Sequence, residues 1–415
     1  MTAIQTATDT SGVLGASPLL EVTDLVTHFR SPRGLVRSVD GVSLTLERGR
    51  TLGIVGESGS GKSVLSRSIM GLVPRSTSVR SGQVLFEGRD ISGLSDEGYR
   101  ELWGSEMAMV FQDPMTSLNP VMRVGKQITE SLRFHLDMDK ADANETAVQL
   151  LRAVRIPEPD RRMRAYPHEM SGGMRQRVVI AIALACGPKL LLADEPTTAL
   201  DVTVQAQILD LLATQQRERF MAMILVTHDL GVVANRADEI AVMYAGRIVE
   251  RAATSVLFRE MSHPYTQALL SAIPQIGMPS HTRLVAIGGR PPDLVNPPDG
   301  CSFHPRCPRV QDRCRVEDPS LQESPTTPGH YFACHYPVDG PAPVSFLPSK
   351  NVPAPVGATP PPVVTPAPPP NPAAPPPNPA QPLPSVAERA ATAQEPTPMI
   401  TPPPPPPPFT DEGGR

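Results

Sequence analysis

Residues Gly56 to Ser63 read GESGSGKS, a Gly-x-x-x-x-Gly-Lys-Ser pattern suited to holding phosphate. Glycines let the backbone curl until several N–H groups point at one anion. A helix that opens where the loop ends turns its positive terminus to the same place. Gly56, Glu57, Ser58, Gly59, Ser60 and Gly61 form this cradle, and Val64 follows it into the helix. Lys62 would bring a point charge to the β- and γ-phosphates, and Ser63 a hydroxyl to Mg²⁺. Further on, LLLADEP (190–196) delivers two adjacent carboxylates at the end of an apolar run. Asp194 would hold Mg²⁺, and Glu195 would orient or deprotonate the attacking water. A strand ending in Asp-Glu says little alone. Behind a phosphate loop in the same chain it points to ATP hydrolysis.

These groups need elements to position them. TLGIVG (51–56) is a short apolar strand running into the loop, and SVLSRSIMGLV (63–73) is the helix after it. LLEVTDLVTHF, VRSVDGVSLTLERG, SGQVLFEG, MAMVFQDP and MAMILVTHD also read as strands. Strands alternating with helical stretches predict an α/β core with parallel strands over residues 18–250. Residues 114–170 lack strand patterning and carry the helix-like VGKQITESLRFHL and ANETAVQLLRAV, which predicts an inserted helical subdomain.

Residues 1–17 are small and polar and are expected to be disordered. Residues 251–340, richer in Pro, Cys, His and Arg, are expected to form a small accessory domain. Residues 341–415 hold more than half of the 51 prolines and read as an extended, disordered tail.

Composition narrows the function classes. The 415 residues imply two or three domains, and 40 % apolar content is enough for a core. Only 4 % are aromatic, so that core must be mostly aliphatic. A net charge of -4 gives no reason to expect nucleic-acid binding, which usually shows as a basic domain. The longest apolar run, VVIAIALAC (178–186), is too short to span a bilayer. The first residues lack a signal peptide's basic and apolar regions. The chain is therefore expected in the cytosol, with any membrane role supplied by partners.

Four of the five cysteines, Cys301, Cys307, Cys314 and Cys334, fall in one short segment spaced C-x5-C-x6-C-x19-C. In a cytosolic chain such clustering favours a metal site over disulfides. Four thiolates can surround a [4Fe–4S] cluster or a Zn²⁺ ion. No C-x2–4-C pair suited to zinc is present, and a Pro follows Cys307 as it commonly follows iron–sulfur ligands. This favours the cluster, with zinc or unligated thiols as alternatives. Cys186 lies in an apolar helix and reads as core.

Between the two phosphate-site motifs the chain reads MSGGMRQR, and here it resembles the ABC ATPases, whose signature is LSGGQ. The Ser-Gly-Gly centre is intact, and Met174 replaces the amide of Gln with a thioether. Other landmarks follow in order. Gln112 matches the Q-loop, Ala199-Leu200-Asp201 the D-loop, His228 the switch histidine and Phe29 the aromatic that stacks on adenine.

The resemblance implies two such domains paired head to tail. Ser171, Gly172, Gly173 and Met174 would then act on the partner's ATP. His228 would reach the γ-phosphate, and Gln112 would touch Mg²⁺ or water. FQDPMTSLNPVMRVGKQI, HPYTQALLSAIP and the Cys-rich stretch further resemble the peptide importers, the dipeptide, oligopeptide and nickel uptake systems. That likeness implies a sister ATPase in a heterodimer, two membrane permeases and an extracytoplasmic peptide-binding protein. It places the chain on the cytoplasmic face of the plasma membrane. Nickel uptake and, more remotely, a soluble non-transport ABC ATPase are the alternatives.

Overall fold

The computed structural model describes residues 17–198, 200–273 and 287–338. The expected tail, nearly all of the expected disordered N-terminus, and Ala199 of the D-loop lie outside these. In chain order the strands are β1 (Leu20–Ser31), β2 (Gly34–Leu46), β3 (Thr51–Val55), β4 (Ser78–Phe86), β5 (Arg89–Asp90) and β6 (Met107–Val110). There follow β7 (Leu190–Asp194), β8 (Ala222–Thr227), β9 (Glu239–Tyr244), β10 (Arg247–Ala253), β11 (Gln322–Glu323) and β12 (Tyr331–Phe332).

The larger sheet runs β11-β12-β10-β9-β3-β8-β7-β6. From β9 to β6 every pairing is parallel, and the pairings beyond β9 are antiparallel. Its central strands read as unbroken apolar runs because both faces are covered. Along β7, Leu191 and Ala193 enter one core, and Leu190 and Leu192 the other. Along β8, Met223 and Leu225 alternate in the same way with Ala222, Ile224 and Val226.

The second core is closed by a separate four-stranded antiparallel sheet, β2-β1-β4-β5, and by the helix Lys62–Ile69. The parallel expectation therefore holds for the strands that carry the phosphate-site motifs. Strands β1, β2, β4 and β5 form their own sheet, because half-buried, alternating patterns such as those of β1 and β2 need one face covered rather than two.

The first core is closed by helices. Between Val110 and Leu190 the described chain carries helices and turns, including Val124–Leu136, Lys140–Ala153 and Gly172–Ala183. Apolar residues at helical spacing, such as Val124, Ile128 and Leu132, turn inward.

Among the described residues, buried side chains of the region after Arg251 share a core with the large sheet. Phe258, Tyr265, Leu270 and Phe303 join the same buried cluster as β8 and β9. Three of the few aromatic rings meet there. The Tyr244–Tyr265, Tyr244–Phe303 and Tyr265–Phe303 centroids lie 4.6, 5.2 and 5.4 Å apart. Strand β12 extends the large sheet by pairing with β10. Among the described residues no helix is long and apolar enough to cross a membrane.

Candidate active site

Four adjacent parallel strands end at one edge, and each hands over a candidate site residue there. Gly56 follows β3, Glu195 follows β7, His228 follows β8, and Gln112 lies two residues past β6. Ligands of open α/β sheets bind at the carboxyl ends of the strands. A cleft of about 880 Å³ opens there, lined by Glu57, Lys62, Ser63, Gln112, Glu195 and His228 among others.

Two of the loop's glycines are required by close packing. A Cβ on Gly56 would lie 2.1 Å from the Met243 carbonyl oxygen. One on Gly61, at φ +102°, would lie 2.0 Å from the Ser38 carbonyl oxygen. Neither backbone atom can give way. Lys62 opens the following helix and is only 4 % exposed. Its ammonium donates to the Gly56 and Glu57 carbonyls at 2.7 and 2.9 Å, so it is held by its own loop. Burial lowers its pKa, against the pull of Glu195, Asp194 and Glu57. Bound phosphate would supply the anion this ammonium lacks.

Ser63 donates its hydroxyl to Asp194 Oδ1 at 2.8 Å. Asp194 is fully buried, its other oxygen has no partner, and burial raises its pKa. A buried carboxylate with an unused oxygen, bonded to the loop's own hydroxyl, fits Mg²⁺, which takes oxygen ligands from one or two carboxylates plus phosphate.

Glu195 adopts a left-handed φ of +43°, uncommon outside glycine. This conformation carries its carboxylate into the cleft, where three groups converge on Oε2. Thr198 donates at 3.0 Å, Gln112 Nε2 donates at 3.2 Å, and His228 Nδ1 lies at 3.4 Å. The carboxylate is mostly buried, whereas the His228 side chain is 63 % exposed and faces the opening.

Other expected site residues lie apart from this cleft. Ser171 caps the helix Gly172–Ala183, accepting from the Met174 N–H at 3.3 Å. A Cβ on Gly173 would lie 2.7 Å from Val204, so that glycine lets two helices approach. Asp201 caps the helix Val202–Glu218, accepting from the Val204 N–H at 2.9 Å. Phe29 sits half-buried on β1 opposite Val36 and Ser78, outside the cleft lining.

Instead, Leu269, Pro291 and Leu294 from the C-terminal region line the cleft. The Arg37 N–H donates to the Leu294 carbonyl at 3.0 Å and fixes that segment. Arg306, with its side chain 3 % exposed, forms a two-pronged ion pair with Glu57. Nothing in local pattern marks these contacts. Arg306 and Glu57 are 249 positions apart.

Cys301, Cys307, Cys314 and Cys334 line one small cavity, and all four are free. Burial pushes the Cys301 and Cys334 thiols up to about 11 and also raises Cys307. Among the described residues, however, no three His, Cys, Asp or Glu side chains are gathered as a site for one metal ion.

Comparison with known proteins agrees with this geometry. The family model for ABC transporters matches residues 39–198, and that for the oligopeptide/dipeptide transporter C-terminal region matches 249–314. The chain is 50 % identical over 320 residues to a probable peptide ABC transporter ATP-binding protein of Sinorhizobium fredii, covering 77 % of this chain and 95 % of that one. It is 48 % identical over 321 residues to the dipeptide transport ATP-binding protein DppD of Escherichia coli, covering 77 % and 97 %. It is 54 % identical over 286 residues to the oligopeptide transport ATP-binding protein OppD of Bacillus subtilis, covering 69 % and 80 %. Among solved structures, the dimeric post-hydrolysis state of the ATP-binding cassette MJ0796 bound to ADP and Pi has a TM-score of 0.52 at 26 % identity, covering 57 % of this chain and 98 % of that one.

Proposed function

The chain belongs to the ABC transporter family and is an ATPase, and from that premise we propose that it energises uptake of di- and oligopeptides through membrane partners. The observation that supports this most is the convergence of Thr198, Gln112 and His228 on Glu195 Oε2, in a cleft that Lys62 and Ser63 also line, with Asp194 buried behind Ser63.

On this reading the work divides as follows. Loop N–H groups and Lys62 bind the phosphates, with Lys62 turning from its own carbonyls to the incoming anion. Ser63, Asp194 and Gln112 would hold Mg²⁺, which neutralises charge on the phosphate oxygens. Glu195 takes the proton of the attacking water, and its fixed carboxylate keeps that water in line. His228, exposed at the cleft mouth, reaches the γ-phosphate. Phe29 is the aromatic assigned to adenine.

Ser171, Gly172, Gly173 and Met174 are not in this chain's own cleft, which supports their acting on the nucleotide of a sister ATPase in a heterodimer. That pair would sit on the cytoplasmic face of the plasma membrane beneath two permeases, fed by an extracytoplasmic peptide-binding protein. The region matched by the oligopeptide/dipeptide model supports the peptide branch.

The four C-terminal thiols suit a [4Fe–4S] cluster as a donor set, since four cysteines face one cavity. A single Zn²⁺ ion held by the same four sulfurs is the alternative. Such a cluster would be structural. Anaerobically purified protein should carry iron and acid-labile sulfide, and colourless, iron-free protein would end this assignment.

Lys62→Ala should abolish ATP binding by the full chain, and ordinary affinity would refute the phosphate-loop assignment. For transport, proteoliposomes holding the assembled complex would be given labelled peptides and nickel in parallel. Peptide uptake that requires Glu195 supports the reading. Nickel uptake alone would replace the solute, and uptake of neither would overturn the transport role.

A further inference from the structure

Glu57, the second residue of the phosphate loop, is held from the C-terminal region. Its backbone N–H donates to the Tyr265 hydroxyl at 2.8 Å, and its carboxylate receives both arms of the Arg306 guanidinium at 2.6 and 3.0 Å. Its carbonyl also accepts from Lys62, so Glu57 links the loop's essential cation to residues more than 200 positions away. Arg306 is fully committed there. Nε donates to the Gly288 carbonyl at 2.8 Å, Nη1 also reaches the Tyr244 hydroxyl at 3.4 Å, and Nη2 also reaches the Ile287 carbonyl at 3.4 Å. With Glu57 that makes five acceptors for the five N–H donors a guanidinium carries. The side chain also lies against the Tyr244 ring, 5.9 Å from its centroid.

A side chain so fully bonded is built for one position. Glu57 poses a problem that this position solves. A carboxylate at the rim of a phosphate cradle repels the polyanion the cradle must bind. A buried, two-pronged arginine neutralises that charge and fixes the direction of the backbone carrying it.

We propose that Arg306 is a positioning residue for nucleotide binding, holding and neutralising Glu57 so that the C-terminal region sets the affinity of the phosphate loop. This rests on the assignment of Gly56–Ser63 to ATP. Arg306 acts through Glu57 and not on the nucleotide itself.

The test is equilibrium binding of MgATP to the full chain, with thermal melting to verify folding. Arg306→Ala should weaken binding about tenfold, or about 1.4 kcal/mol. Arg306→Lys, which keeps the charge and loses the fork, should fall between that variant and the parent. The decisive variant is Glu57→Gln combined with Arg306→Ala. Removing the unpaired carboxylate should bring affinity back to within about threefold of the parent. A role in stability alone would give no such rescue.

Parental affinity in folded Arg306→Ala, or a double variant no better than the single one, would overturn the proposal. If Arg306→Ala fails to fold, Arg306→Gln serves in both comparisons. Lys62→Ala run in parallel separates the two layers. If it binds ATP normally, the phosphate-loop assignment fails first. If it loses binding while Arg306→Ala does not, only the positioning role fails.

Discussion

The phosphate cleft and the polar centre of the C-terminal region treat buried charge in opposite ways. At the phosphate loop, Asp194 Oδ2 and Ser60 Oγ are buried without partners, and the Lys62 ammonium rests on its own loop's carbonyls. In the C-terminal region, Glu250 is fully buried and fully satisfied. It accepts from the Ser262 and His263 N–H groups at 2.6 and 3.0 Å and from His330 Nε2 at 2.8 Å. Leaving a buried polar group unpaired costs about 1–3 kcal/mol. On the proposed reading the missing partners at the phosphate loop would arrive with the nucleotide, whereas the groups around Glu250 hold one arrangement.

The contrast can be broken most severely from the cleft side. Glu195→Gln keeps the shape and removes the base, so ATP hydrolysis should fall about 10²–10⁴-fold while ATP binding and melting temperature stay near the parent. Steady-state turnover and equilibrium binding check this, and undiminished turnover would mean that another group takes the proton.

From the other side, Glu250→Ala removes the shared acceptor of three donors. Loss of one partner from a buried charged network should destabilise the fold by about 3–5 kcal/mol, read by denaturant unfolding. A change below about 1 kcal/mol would show that the network is dispensable.

A pH titration sharpens the comparison further. Burial pulls His263 down to about 4 from 6.5, with Glu250 opposing. The unfolded chain therefore takes up a proton that the folded chain refuses. Stability should be unaffected by this group above about pH 6.5 and decline as pH falls toward 4, losing about 2 kcal/mol at pH 5. His263→Asn, which keeps an acceptor for the Tyr265 N–H, should flatten that slope. An unchanged slope would assign the acid sensitivity elsewhere.

The smallest effect concerns Ser171. As a helix cap its loss to Ala should cost the isolated chain about 1 kcal/mol. If Ser171 also serves a partner's nucleotide, ATPase activity of the assembled complex should drop far more than that stability change explains. Equal, small effects on both would leave it a cap alone.

How much of this could be read from the sequence follows from the range of the interactions. Gly56–Ser63 and Asp194–Glu195 were legible because each needs a few residues in fixed order at the end of an apolar strand. Gln112 and His228 were legible through their order along the chain, and the structure brings both to Glu195. The division into two sheets was not foreseen, since strand pairing depends on which faces other parts of the chain cover. The sequence reads the C-terminal region as an accessory domain, and it carries no sign that Phe303 and Tyr265 pack on Tyr244 of the central sheet. Arg306 and Leu294 escaped notice for the same reason. Their partners are more than two hundred residues distant, and no periodicity reports such a contact.

Strand β10 gives the molecule a last property. Its outer edge is covered by β12 through only two residue pairs, Glu250 with Phe332 and Arg251 with Tyr331, and β11 covers β12 in turn. Uncovered strand edges recruit other strands. A chain shortened to end before Gln322 would keep every group of the ATP cleft and still be hard to handle. It would present β10 to its neighbours and self-associate, so a well-behaved fragment has to run past Phe332.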